Sequence, residues 1–233
     1  MKRFVFLLGM AACASVAACG HDVITTTITF DREIARIVYT RCASCHHPDG
    51  MAFSLLTYKD ARPWAEAIKE EVLARRMPPW GAVKGFGDFR NDEALTPEQL
   101  ETIVSWADGG VPEGEDKNLP PLPKFESPAA STPPANELAV SGEFKLKADF
   151  KLDGLWPRTI PDKASFQVTA VLPDGSVQPL LWLLEYKKEW GHAFLLRTPL
   201  DLPPGTVIRG IPKEASVVLL KAPDAPPADS AER

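Results

Sequence analysis

The sequence predicts an α+β chain of more than one domain: a small all-α domain followed by a C-terminal antiparallel, β-sandwich-like domain. Three observations carry that prediction. Apolar residues recur at helical spacing between Asp31 and Gly110, in segments bounded by cap and stop residues. A linker over 115–136 then carries Pro120, Pro121, Pro123, Pro128, Pro133 and Pro134, a composition that keeps a chain semi-extended. From Glu137 the apolar period switches to two, as in half-buried strands. The resulting division is a leader (1–19), a tether (20–28), a helical domain (29–114), the linker, a β domain (137–221) and a tail (222–233) expected to be disordered.

Composition narrows the function. Net charge is −5, and no Lys/Arg-rich run is present, so the chain lacks the electrostatic footprint of a nucleic-acid binder. Of the four cysteines, Cys13 and Cys19 lie in the leader region. Cys42 and Cys45 are therefore the only two in the mature part, and they belong to one motif.

The leader joins Lys2-Arg3 to an apolar run ending at Ala18, which reads as an export signal too short to span a bilayer comfortably. Val16-Ala17-Ala18-Cys19 resembles a bacterial lipobox, whose cysteine is acylated and becomes the mature N-terminus. Met10-Ala11-Ala12-Cys13 is a second candidate with a shorter apolar core, and plain secretory cleavage after Ala18 is the alternative. The resemblance implies a lipoprotein on the periplasmic side. Gly20 after the acylated residue favours the outer membrane, with the lipid anchor as the membrane contact.

The helical domain opens with Ile34, Ile37 and Val38 on one face and runs into Cys42-Ala43-Ser44-Cys45-His46. Two cysteines spaced by two residues, with histidine next, form the attachment pattern for c-type haem. Two porphyrin vinyl groups can each form a thioether with one thiol, and the imidazole that follows can bind iron from below the ring. Cys42 and Cys45 are the thioether candidates, and His46 is the axial ligand. A redox dithiol would belong beside a βαβ pattern, which is absent here. Zinc would need a second ligand pair beyond His21, His47 and His192. A structural disulfide is the remaining alternative in an exported chain.

A second helix is expected over 58–76, with Thr57 as N-cap; Pro63 allows a start as late as Arg62. Met77-Pro78-Pro79-Trp80 follows. Methionine is a common second axial ligand in cytochromes c, and the two prolines prevent return to helix after it. Met77 is thus the candidate sixth ligand rather than core filler. Trp80 is expected near the ring edge, and Arg62, Trp64, Arg75 and Arg76 are further candidates to meet the propionates or the ring. A third helix opens at Thr96-Pro97-Glu98-Gln99 with a capping box and ends at Gly109-Gly110.

Arg41 to Gly114 resembles class I cytochrome c: an N-terminal helix ending in CxxCH, a middle helix, a Met loop and a C-terminal helix packed on the first. More narrowly, FSLLTYKDARPWAEAIKEEVLARRMPPW with FRNDEALTPEQLETIVSWADGGVPEG is similar to a bacterial cytochrome module that often precedes redoxin-like or copper-monooxygenase-like domains. The resemblance implies one covalent haem c and single-electron transfer with a redox partner protein. One departure stands out. The related loops carry a proline before Phe-Ser-Leu-Leu, whereas Ala52-Phe53 has none, which leaves open the acceptor for the His46 ring N–H. A domain of under ninety residues buries little apolar surface, so the haem-free form is expected to fold poorly.

In the β domain, Phe144 to Phe150 alternates as a strand, and 164–172, 177–186, 192–197, 206–211 and 216–220 follow, with Pro173-Asp174-Gly175 as a hairpin turn. The stretch from Ala164 to Ile208 resembles the closing strands of the copper type II ascorbate-dependent monooxygenase C-terminal domain. The His-x-His pair and Met that bind copper there are missing, and His192 stands alone. The expectation is a non-enzymatic electron carrier. The alternatives are a haem-stapled module whose β domain binds a protein or glycan, and an electron-delivery subunit for a copper- or quinone-dependent oxidoreductase.

Overall fold

The computed structural model describes residues 26–125 and 138–223; the leader with Cys13 and Cys19, most of the tether, linker residues 126–136 and nearly all of the tail lie outside the described residues. Within them the chain is α+β, with short helices followed by two antiparallel four-stranded sheets.

The first helix begins with a wide turn over Phe30–Ile34, in which the Ile34 N–H donates to the Thr29 carbonyl (3.3 Å), and continues as α1, Ala35–Arg41. The Glu33 carboxylate accepts from the Thr29 N–H (2.8 Å), satisfying a donor left free at the helix start. The middle helix forms in three pieces: α2 (Tyr58–Ala61), a 3-10 turn (Arg62–Trp64) and α3 (Ala65–Leu73). It opens at Tyr58, earlier than Arg62, because the Thr57 side chain caps the Asp60 N–H (3.1 Å); Pro63, lacking an N–H, falls in the tightened turn. The last helix, α4 (Pro97–Asp108), starts with the expected capping box between Thr96 and Gln99 and stops at Gly109. Phe30, Ile34 and Val38 share a core with Leu55, Val72, Ile103 and Trp106. The N–H groups of Phe30 and Asp31 donate to the carbonyls of Pro112 and Glu113, so the first helix is seated on the chain that leaves α4.

The β region holds β1 (Leu138–Val140), β2 (Phe144–Lys145), β3 (Phe150–Thr159), β4 (Ala164–Val171), β5 (Val177–Tyr186), β6 (Phe194–Leu202), β7 (Val207–Arg209) and β8 (Ser216–Lys221). One sheet runs β1-β8-β3-β6 and the other β2-β7-β4-β5. Leu152, Leu155 and Leu219 of the first sheet share one buried core with Val168, Leu181 and Ile208 of the second. The expected strand over 144–150 divides: Phe144 and Lys145 pair with β7, Ala148 is exposed, and Phe150 opens β3 in the other sheet. β3 escaped the alternation reading because Leu155 and Trp156, adjacent in sequence, are both buried, and Pro157 interrupts the pattern.

Residues 80–91, from the helical half of the sequence, are part of this β region. Ala82 bridges Leu183 on β5, and Phe89 bridges Leu196 on β6, so one strap pairs with an outer strand of each sheet. Trp80 and Phe89 are buried in the β core. Covering the open edges satisfies backbone groups that would otherwise offer pairing to another chain. Truncating Trp80 to Ala would cost about 3–5 kcal/mol, the usual range for deleting a buried large aromatic.

Asp31 is only 4% exposed, and its Oδ2 has no partner. Burial raises its pKa, with Asp116 and Glu113 adding to the effect. The folded chain therefore holds this proton more tightly than the unfolded chain. The sign follows: stability falls as pH rises from the ordinary carboxylate range through the raised value. Asp31→Asn is expected to raise Tm at neutral pH and to remove that part of the decline, as thermal melts across the acidic range would record.

Candidate haem-binding site

The CxxCH turn grows directly from α1. The Cys42 and Ala43 N–H groups both donate to the Val38 carbonyl (2.9 and 2.8 Å), and those of Cys45 and His46 donate to the Cys42 carbonyl (3.1 and 2.9 Å). Ala43 is buried beneath the turn, while Cys42, Cys45 and His46 are half-buried. Both thiols are free. Burial, followed by the neighbouring Cys45, pushes the Cys42 thiol up to about 12, with Arg41 opposing. A dithiol nucleophile needs the opposite shift, so these surroundings do not suit redox exchange.

The segment after His46 folds back on the turn. Ala52 N–H donates to the Cys45 carbonyl (3.1 Å), and Leu55 N–H to the His46 carbonyl (3.3 Å). This brings the Phe53 carbonyl 2.9 Å from His46 Nδ1. The ring nitrogen donates there, which leaves Nε2 with its lone pair, the tautomer a metal requires. The backbone of Phe53 thus fills the acceptor role that the missing proline had left open. The Phe53 ring lies edge-on to His46 (5.1 Å) and stacks on Trp64 (4.5 Å).

Met77 follows α3. Its N–H and that of Arg76 both donate to the Glu71 carbonyl, and the Arg76 guanidinium grips the Glu71 carboxylate (2.7 and 2.8 Å). Phe53, Trp64 and Met77 are 50%, 46% and 42% exposed; the stacked Phe53–Trp64 pair adjoins His46, whereas Met77 lies at the end of α3. A cavity of about 510 Å³ lies between α3, the Met77 loop and the start of α4, lined by Val72, Met77, Trp80, Leu95 and Leu100, with Arg75 and Lys84 also on its wall. Its lining joins the Met77 loop to the start of α4 and does not include Cys42, Cys45 or His46.

Two cationic residues escaped notice in the sequence. Arg41, immediately before Cys42, donates to the Asp92 carbonyl (2.7 Å) and keeps a buried Nε without a partner. Lys84 is ion-paired with Asp92. The only available signal was a basic residue next to the motif. Arg62 lies over the Tyr58 ring, and Arg76 is engaged by Glu71. Trp80 lines the cavity yet is seated in the β core, stacked on His192 (5.0 Å, 11° between planes) and edge-on to Phe194 (4.8 Å). His47 stacks instead on Phe125, and Met51 is 82% exposed. Among the described residues, no three His, Cys, Asp or Glu side chains are grouped to hold a metal ion.

The donor set fits haem on three counts: two free thiols, an imidazole with Nδ1 committed to a carbonyl, and apolar surface suited to a porphyrin. No family model matches the chain, and neither a curated protein nor a solved structure matches it.

Gly50 controls the return of the loop. A Cβ there would stand 2.3 Å from the Cys45 carbonyl oxygen and 2.9 Å from the His47 ring. Gly50→Ala is expected to cost about 1–3 kcal/mol through overpacking, read as a lower urea midpoint for the folded chain.

Proposed function

We propose that this chain is an exported, lipid-anchored monohaem c-type cytochrome that passes single electrons to and from a partner protein. The observation that carries the reading is the His46 Nδ1 to Phe53 carbonyl contact directly after CxxCH, because it fixes the tautomer an axial ligand needs. Bound haem would supply one-electron iron chemistry.

In this reading Cys42 and Cys45 would hold haem through thioethers, and His46 Nε2 and the Met77 sulfur would bind its iron. Phe53 and Trp64 place a stacked aromatic pair beside the imidazole. Arg41, Arg75 and Lys84 supply positive charge for the propionate carboxylates. Electron exchange needs only an accessible ring edge and a small transient interface, and no substrate pocket. Cys19 would carry the lipid that keeps the carrier on the periplasmic side of the outer membrane, and Trp80 acts from beneath the Met77 loop.

The test is covalent attachment. The full chain, expressed with its leader beside a c-type maturation system, is expected to gain the mass of one haem that survives denaturation. Cys42→Ser/Cys45→Ser is expected to lose it. Wild-type chain that is exported and matured without that mass would refute the reading.

A further inference from the structure

We propose that the β region is a clamp for the sixth ligand, with Trp80, Arg90 and Asn91 as positioning residues for Met77; this rests on the haem reading above. A thioether is a weak, flexible ligand on a side chain with three rotatable bonds. It stays on a metal only when the backbone that carries it is held.

The backbone on both sides of Met77 is held. On the N-terminal side its N–H and the Arg76 fork are both tied to Glu71. On the C-terminal side only two prolines, each with φ fixed by its ring, separate Met77 from the buried Trp80. The strap then pairs with β5: Leu184 N–H donates to the Gly81 carbonyl (3.1 Å), and Val83 N–H to the Trp182 carbonyl (2.9 Å). Gly81 and Gly87 permit this closeness, since a Cβ would come within 2.9 Å of the Trp190 ring at the first and 2.5 Å of the Leu180 carbonyl at the second.

The far end is fastened to the other sheet. Arg90 forks onto the Asp153 carboxylate of β3 (2.9 and 2.7 Å) and also donates to the Leu196 carbonyl (2.6 Å). Asn91 donates to the Ala193 carbonyl and accepts from the Leu195 N–H (2.8 and 3.0 Å). One residue later, the Asp92 carbonyl receives Arg41, the neighbour of Cys42. The strap therefore links the thioether side of the site, the Met77 side and both sheets. Covering sheet edges alone would not require it to enter the β core three residues after the ligand.

The experiment uses the haem-loaded full chain and reads the far-red ferric methionine–iron absorption band together with the reduction potential. Arg90→Ala and Asn91→Ala are expected to shift the ferric protein at least tenfold toward the methionine-free form. The potential would fall by about 59 mV for each tenfold loss of preference for iron(II). Arg90→Lys is expected to recover part of the band. Val140→Ala removes a buried side chain from β1, at the opposite edge of its sheet from β6, so it should lower Tm without moving the band, separating positioning from general destabilisation. A band and potential unchanged in both Arg90→Ala and Asn91→Ala, with Met77→Ala abolishing the band, would overturn the clamp and leave the haem reading standing. A band that survives Met77→Ala would overturn both.

Discussion

Trp80 joins the two halves of the chain into one structure. Its ring sits between Phe89, Phe194 and His192 in the β core, three residues after the methionine at the end of α3. Because large buried aromatics supply much of a small core's stabilisation, this one insertion fixes where the Met77 loop can lie. His192 shares the constraint. It is half-buried and stacked on Trp80, and desolvation lowers its pKa, which favours a neutral imidazole against the indole. That arrangement suits a packing role and does not require a metal.

The CxxCH side is built from different physics. Backbone hydrogen bonds fold the chain after His46 back over the turn, and Gly50 makes room for it. The imidazole is oriented by a main-chain carbonyl, so no particular side chain at position 53 is required for that contact. The two ligand candidates are thus held in unlike ways: His46 by local backbone, Met77 by a remote core.

Local signals were legible in the sequence where the physics is local. The capping box at Thr96 and Gln99, the Thr57 cap, the helix that ends at Cys42 and most strands of the β region follow from residue type and period. The strap was not legible. Residues 80–91 contain three glycines and three aromatics in an irregular run, and their pairing with β5 and β6 closes contacts across about a hundred residues of sequence. Trp80 next to a Met loop invited assignment to a cofactor edge, and nothing in its neighbours announced a seat in the other core. Arg41 was hidden similarly, since its value lies in the Asp92 carbonyl that the fold brings to it.

The most direct measurement is the proton NMR spectrum of the reduced, haem-loaded full chain. The account predicts a methyl resonance displaced far upfield by the porphyrin ring current, present in the wild type and absent from Met77→Ala. A covalently loaded protein with no such resonance would contradict the His46–Met77 pairing on which the account depends.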